Sequence, residues 1–389
     1  MKRPNLIGWL VPLVLMVTAI KVRPWPWRLA ASLAVCAFWI REYVRYRRAG
    51  LRRTRREYDW FRSISPDVYA RHYNERVPTV EEELEEWGSY HRHRHEMRYD
   101  IVASTVRRHL PPSGRVLDVG CGAAGVADRI TDVDAHYVGV DYGDPHIRYA
   151  ARKHARSHER LRTSFARCDA AALPLNGSSV DVVVMSEVIE HLVRPELAIW
   201  EIARLLRPGG VLILTTNNAS EVPLRSPLSQ PLAWVEKAIG AQVPALISHR
   251  AWVWPEKVDP ELLPAGSGDV YVPHTHHIPA ETKRMLCAAG LSTVMWSTFE
   301  FPPPHSRSAL VLERMGKAGR QAADVIEAIA HAIPFVRRLG THLFLVARKT
   351  RDPVAATPPS GVWPGPFSGE DGELRRLDRA RWPKPPRSR

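Results

Sequence analysis

The sequence predicts an α/β domain, a parallel sheet with helices on both faces, preceded by a pair of apolar N-terminal helices. Three observations carry this reading. A short buried-strand pattern, Val116 to Val119, breaks on Gly120, Gly122 and Gly125 within the run RVLDVGCGAAG. A second strand pattern, 137–141 (YVGVD), follows after a helix-length gap and ends on the carboxylate of Asp141. Further on, the Val-rich run from Ser179 to Met185 reads as a strand buried on both faces, as parallel strands are. Strands alternating with helices imply a parallel sheet with helices on both sides.

The chain has 389 residues, enough for one large domain with extensions. Its net charge is +14, and residues 1–60 hold 13 Lys and Arg against 3 Asp and Glu. The excess therefore sits at the N-terminus and the middle is close to neutral, which argues against a nucleic-acid-binding core. The four cysteines, Cys36, Cys121, Cys168 and Cys287, share no metal-ligand spacing and read as unpaired thiols in a reducing compartment.

From Asn5 to Ile20, and again from Leu29 to Ile40, the chain is nearly all apolar. Each run is shorter than the roughly 20 residues that span a bilayer comfortably. Snorkelling of Lys21, Arg28 and Arg41, with tryptophans at the interfaces, would extend both. The pair is expected to form a membrane hairpin over residues 5–40, followed by a basic stalk to residue 56. Positive charge would then keep the following domain cytoplasmic, at the cell membrane. A signal peptide and a buried helical pair are the alternatives.

Residues 57–110 read as a helical cap. His91, His93 and His95 alternate with arginines; their spacing spreads the rings around a helix, and a solvated cationic face is the simpler reading. Met97, Ile101, Val102 and Val106 recur at helical spacing from Glu96 to Leu110, and Pro111 and Pro112 end that helix. The glycine turn then lets backbone N–H groups approach a ligand at the N-terminal end of the next helix. It is the G-x-G form of a nucleotide-binding turn, with Asp141 placed to accept from two ribose hydroxyls.

Residues 145–156 read as a helix, 163–167 as the third strand, 195–206 as a helix closed by RPGG, and 211–216 as the fifth strand. Ligands in such sheets sit beyond the carboxyl ends of the strands, where Gly120, Asp141, Asp169 and Ser186 all fall. Residues 217–273 are too long for a plain connection and carry eight prolines and three tryptophans, so they read as a lid over an apolar acceptor site. Residues 280–289 read as a helix, 291–301 as a sixth strand and 341–348 as the last. From residue 350 Pro, Gly and Arg dominate without periodicity, a disordered tail.

The glycine turn, the acid after the second strand, CDAAALP at 168–174 and RLLRPGG at 204–210 together resemble the class I S-adenosylmethionine (SAM)-dependent methyltransferases, and within them the ubiquinone-biosynthesis O-methyltransferase branch. The resemblance runs from about Arg98 to Thr216, more loosely to Lys349. It implies a Rossmann-like, seven-stranded, mostly parallel sheet with an antiparallel last strand over residues 111–349, and SAM as cofactor. Asp118, Gly120, Gly122, Asp141 and Ser186 would line the cofactor site, with Asp169 at the adenine. Arg98 would reach the cofactor carboxylate, or else is a surface arginine.

Glu187, Glu190 and His191 form E-x-x-E-H. On a helix the three share a face, so they would hold a hard divalent ion such as Mg²⁺, as the resemblance also implies. The alternative is a pocket-shaping or capping role without metal. Methyl transfer to oxygen needs a base, and His191 is the first candidate, ahead of His274, His276 and His277. The expected function is a membrane-anchored methyltransferase of a lipid-like acceptor. A soluble secondary metabolite as acceptor, or a non-catalytic SAM-fold scaffold, are the alternatives.

Overall fold

A computed structural model describes residues 89–155, 159–192, 194–218, 277, 279–301, 307–333, 336–338 and 340–353, with Leu33, Ala37 and Arg41 as isolated helical positions. The chain divides into two compact units, residues 1–53 with 222–242 and residues 54–221 with 243–389. Apart from the three isolated positions, the described residues belong to the second.

In chain order these are α1 (Ser89–His109), β1 (Gly114–Val119), α2 (Gly125–Arg129), β2 (Ala135–Asp141), α3 (Asp144–Lys153), β3 (Leu161–Arg167), β4 (Val180–Ser186), α4 (Pro195–Leu205), β5 (Leu206–Asn217), α5 (Pro279–Ala288), β6 (Leu291–Phe299), α6 (Arg307–Arg314), α7 (Lys317–Ala332) and β7 (His342–Lys349). A 3-10 turn, Ile189–His191, follows β4. The strands form one sheet in the order β3-β2-β1-β4-β5-β7-β6. β1 to β5 pair in parallel, and β7 runs antiparallel to both β5 and β6. The expected Rossmann-like, seven-stranded sheet with an antiparallel last strand is thus present.

Strand parity builds the two faces. Leu117, Val119, Val183, Met185, Leu212, Leu214, Leu345 and Ala347 pack with α4 and α5. Val116, Val182, Val184, Val211, Ile213, Phe344 and Val346 point the other way, onto α1, α2 and α3. Each fully buried Val, Leu or Ile contributes about 1.5–3 kcal/mol, so these two layers are the main stabilising term. Asp118 shares the parity of Val116 and faces the α1 side.

The helix expected from Glu96 begins at Ser89, and the His/Arg tract is inside it. That tract is not a solvated face: Arg94 is fully buried and His91 and Arg98 are nearly so. The cause is α7. Arg94 ion-pairs with Glu327, and His93 bonds Asp324 at 2.8 Å. Glu327 also accepts from the backbone N–H groups of Glu300 and Phe301, tying α1 and α7 to the end of β6.

The expected membrane hairpin over residues 5–40 is corrected. No helix among the described residues is long and apolar enough to cross a membrane. The longest, α1, has 21 residues but carries arginines along its length. A span needs about 20 predominantly apolar residues. The cell-membrane location, the membrane partner and the lipid-like acceptor rested on that hairpin and fall with it. Most of the hairpin and stalk, residues 57–88 of the expected cap, residues 219–273 of the expected 217–273 lid and residues 354–389 of the expected tail lie outside the described residues.

Candidate active site

Parallel strands β1 to β4 put their carboxyl ends on one edge of the sheet, and the site is built there. After Val119 the chain turns through Gly120 (φ +71°), Gly122 (φ +50°) and Ala124 (φ +56°) into α2. Glycine is required at 120 twice over. Its φ is left-handed, and a Cβ there would lie 2.3 Å from Val188 Cγ2. Asp141, ending the adjacent β2, accepts from Gly122 N–H at 3.0 Å and Gly143 N–H at 2.9 Å. The acid therefore fixes the turn as well as presenting a carboxylate at the edge.

Asp118 lies below this surface. It is 3% exposed, and Tyr137 donates its hydroxyl to Asp118 Oδ2 at 2.5 Å. Burial pushes its carboxyl up to about 7. Asp169, just past β3, accepts from Ala171 N–H at 2.8 Å, and burial raises its carboxyl above the ordinary value. Ser186 ends β4 and shares a 2.9 Å hydroxyl contact with Thr215 of β5. Gly120, Gly122, Asp141, Asp169 and Ser186 thus stand together at one edge, as expected. Asp118 stands beneath them.

The next segment departs from the expectation. Glu187 has a left-handed backbone (φ +56°) and donates its N–H to Thr215 O at 3.0 Å. Only a three-residue 3-10 turn follows. The helical face that would align Glu187, Glu190 and His191 is absent, and the two acids bond different partners. Glu187 Oε2 reaches His342 Nε2 at 3.0 Å, whereas Glu190 Oε2 accepts from Thr216 Oγ1 at 2.9 Å. His191 sits at the end of the turn, its N–H on Val188 O at 2.9 Å. Among the described residues no group of three or more His, Cys, Asp or Glu is arranged to hold a metal ion. This donor set does not fit Mg²⁺.

The structure adds two residues that the sequence does not point to. His342 opens β7 and is in register with Asn217 of β5 and Phe299 of β6. Its Nδ1 lies 2.5 Å from Glu300 Oε2 and its Nε2 faces Glu187, so the imidazole is flanked by two carboxylates. Glu300, directly after β6, also has a left-handed backbone (φ +73°). Burial alone would lower His342, but Glu187 and Glu300 raise it well above the usual imidazole value. Burial pushes the two acids up, and the His342 charge more than offsets this. Glu300 falls to about 2 and Glu187 further below the carboxylate range. Glu190 goes the other way: burial, then the neighbouring Glu187 charge, keep its proton on.

Arg98 on α1 completes the cluster. Its Nη1 is 4.0 Å from Glu187 Oε2, and its Nη2 bonds His95 Nε2. Burial, then the Arg98 charge, push His95 well below its usual value, leaving a neutral ring as acceptor. Arg98 is therefore not a surface arginine. Of the other candidate histidines, His277 donates its N–H to Asn217 Oδ1 at 3.1 Å and forms a parallel bridge with Asn218. His274 and His276 lie outside the described residues.

Residues 117–214 match the family described as "Methyltransferase domain". A probable S-adenosylmethionine-dependent methyltransferase of Mycolicibacterium smegmatis is 35% identical over 142 residues, 36% of this chain and 49% of that protein. An uncharacterized methyltransferase of Mycolicibacterium gilvum is 42% identical over 100 residues, 26% of this chain and 38% of that protein. A ubiquinone biosynthesis O-methyltransferase of Agrobacterium fabrum is 33% identical over 113 residues, 29% and 44% of the two chains. The chain spans about half or less of the length of these relatives. The ubiquinone-biosynthesis enzymes are thus one of several groups matched in part. Matched domain, strand order and glycine turn agree: the chain carries a class I SAM-dependent methyltransferase fold, whose cofactor is SAM.

Proposed function

We propose that the protein transfers a methyl group from SAM to a hydroxylated small molecule. The observation that carries this reading is the junction of the glycine turn with Asp141 at the carboxyl edge, beside Asp169 and Ser186. The residues fit the cofactor: Asp141 offers a carboxylate to the ribose hydroxyls, Asp169 to the adenine amino group, and the turn at Gly120 and Gly122 admits close backbone approach. Arg98 supplies a guanidinium for the amino-acid carboxylate.

The SAM sulfonium supplies an already activated methyl group. What remains for the chain is to hold the acceptor in line, exclude water and take up a proton. The acceptor stands next to Ser186 and the 187–191 turn. Oxygen is favoured as the methylated atom by the partial likeness to ubiquinone-biosynthesis O-methyltransferases. His191 remains a candidate proton acceptor at the turn.

The test is turnover. Purified protein with SAM and a panel of catechols and phenols should release S-adenosylhomocysteine in step with a methylated product. Binding of SAM with no product from any hydroxylated compound would favour a non-catalytic SAM-binding role.

A further inference from the structure

The proposed function leaves three groups unused: Glu187 and His342, whose side chains are 16% and 15% exposed, and the buried Glu300. They come from the ends of β4, β7 and β6. β4 and β7 both neighbour β5, so their backbones stand about 9–10 Å apart, and the Glu187 and His342 side chains meet over the end of β5. Nothing in the packing of the sheet needs a charged bridge there. Two carboxylates on one imidazole are costly to desolvate, and such a set is a weak source of stability. Both acids also hold left-handed backbone, at φ +56° and +73°, a conformation that non-glycine residues adopt at a cost. Strain on both sides of one histidine, at the edge where the cofactor fits, points to a function for the set.

Within the cluster, His342 Nδ1 and Glu300 Oε2 meet as an ion pair without ordinary hydrogen-bond geometry, and one further atom is left over. Glu187 Oε2 is taken by His342, with Arg98 at 4.0 Å. Glu187 Oε1 is buried and accepts no hydrogen bond of ordinary geometry from the described residues. The Thr215 hydroxyl, already shared with Ser186, adds a weaker contact to the carboxylate. A buried carboxylate oxygen without a full partner is expensive unless a ligand supplies the donor. It follows Ser186 directly, on the strand end next to the glycine turn.

Resting on the methyltransferase reading, we propose that Glu187 Oε1 receives the acceptor's hydroxyl, and that His342, buttressed by Glu300, is the positioning residue that holds Glu187 in place. In the transfer step the acceptor oxygen forms a bond to the methyl carbon with its own lone pair. The carbon–sulfur bond breaks with its pair left on sulfur. The O–H bond breaks with its pair left on oxygen, and the proton passes to Glu187 Oε1. A carboxylate of low basicity suffices, because an oxygen that has gained a methyl group while keeping its proton is far more acidic than a carboxylic acid.

The experiment separates the cofactor from the acceptor. Calorimetry measures S-adenosylhomocysteine affinity. Saturation-transfer NMR with catechol as the probe measures acceptor binding to the S-adenosylhomocysteine-loaded protein. Glu187→Gln keeps the shape and removes the charge. It should leave S-adenosylhomocysteine affinity within about twofold and weaken catechol by about tenfold or more, the loss expected for a charge-assisted hydrogen bond. Glu187→Asp should restore part of the catechol binding. His342→Gln should weaken catechol in the same way, with the melting temperature recorded to show that the variant is folded.

Catechol bound equally by wild type and Glu187→Gln, or not bound by wild type, would overturn the proposal. So would a parallel loss of both ligands in Glu187→Gln. Absence of S-adenosylhomocysteine binding to wild type would instead bring down the methyltransferase reading.

Discussion

Asp118 gives a prediction whose size can be worked from the structure. Its carboxyl is raised from 3.8 to about 7 by burial, and it is 3% exposed, so solvent screens little of the effect. The shift is about 3 units, or about 4 kcal/mol of difference between the two protonation states. Because the native value is raised, the folded chain keeps a proton that the unfolded chain releases. This contribution to stability is complete below about pH 4 and is lost as the pH rises towards 7, by at most about 4 kcal/mol. Asp118→Asn cannot ionise, and its carbonyl oxygen still accepts from Tyr137. Urea unfolding of both proteins at pH 5, 6, 7 and 8 is the assay. Relative to wild type, Asp118→Asn should gain stability steadily across that range and level off above pH 7. Parallel stability curves would refute the assignment of Asp118 as a buried, proton-holding acid.

Three further outcomes follow from the same geometry. Asp141→Ala removes the acceptor of two backbone N–H groups and the proposed ribose ligand; calorimetry should show S-adenosylhomocysteine affinity down by about 100-fold, the worth of two charge-assisted bonds. Gly120→Ala meets both a left-handed φ and the Val188 side chain, so it should lose about 1–3 kcal/mol in denaturant unfolding, and Val188→Ala in the same chain should recover only the packing part. Glu327→Ala strands the fully buried Arg94 and frees the N–H groups of Glu300 and Phe301, and should cost about 3–5 kcal/mol in thermal or urea melts.

What the sequence made legible was local or followed from parallel topology. The glycine turn announces itself because only small residues take that backbone. Once strands and helices alternate, the carboxyl ends of β1 to β4 must share an edge, which gathers Gly120, Asp141, Asp169 and Ser186 without coordinates. What it hid depends on distant chain. His342 and Glu300 lie on either side of α6 and α7, and only the strand order β5-β7-β6 brings them to Glu187.

Two periodicity arguments failed for physical reasons. The E-x-x-E-H face presumed a helix, but a left-handed Glu187 and a short 3-10 turn replace it, and the two acids take different partners, His342 and Thr216. The His/Arg tract looked solvated because its cover, α7, arrives more than 200 residues later in the chain. Apolar run length suggested a membrane hairpin, and no described helix supports one.

The central claim is that the glycine turn and Asp141 together form one cofactor site. Calorimetric titration of the purified wild-type chain with S-adenosylhomocysteine tests it most directly. Saturable binding to one site per chain, displaced by SAM, is the expected result. No binding at concentrations up to about 1 mM, the weakest affinity a specific site of this kind would show, would contradict it.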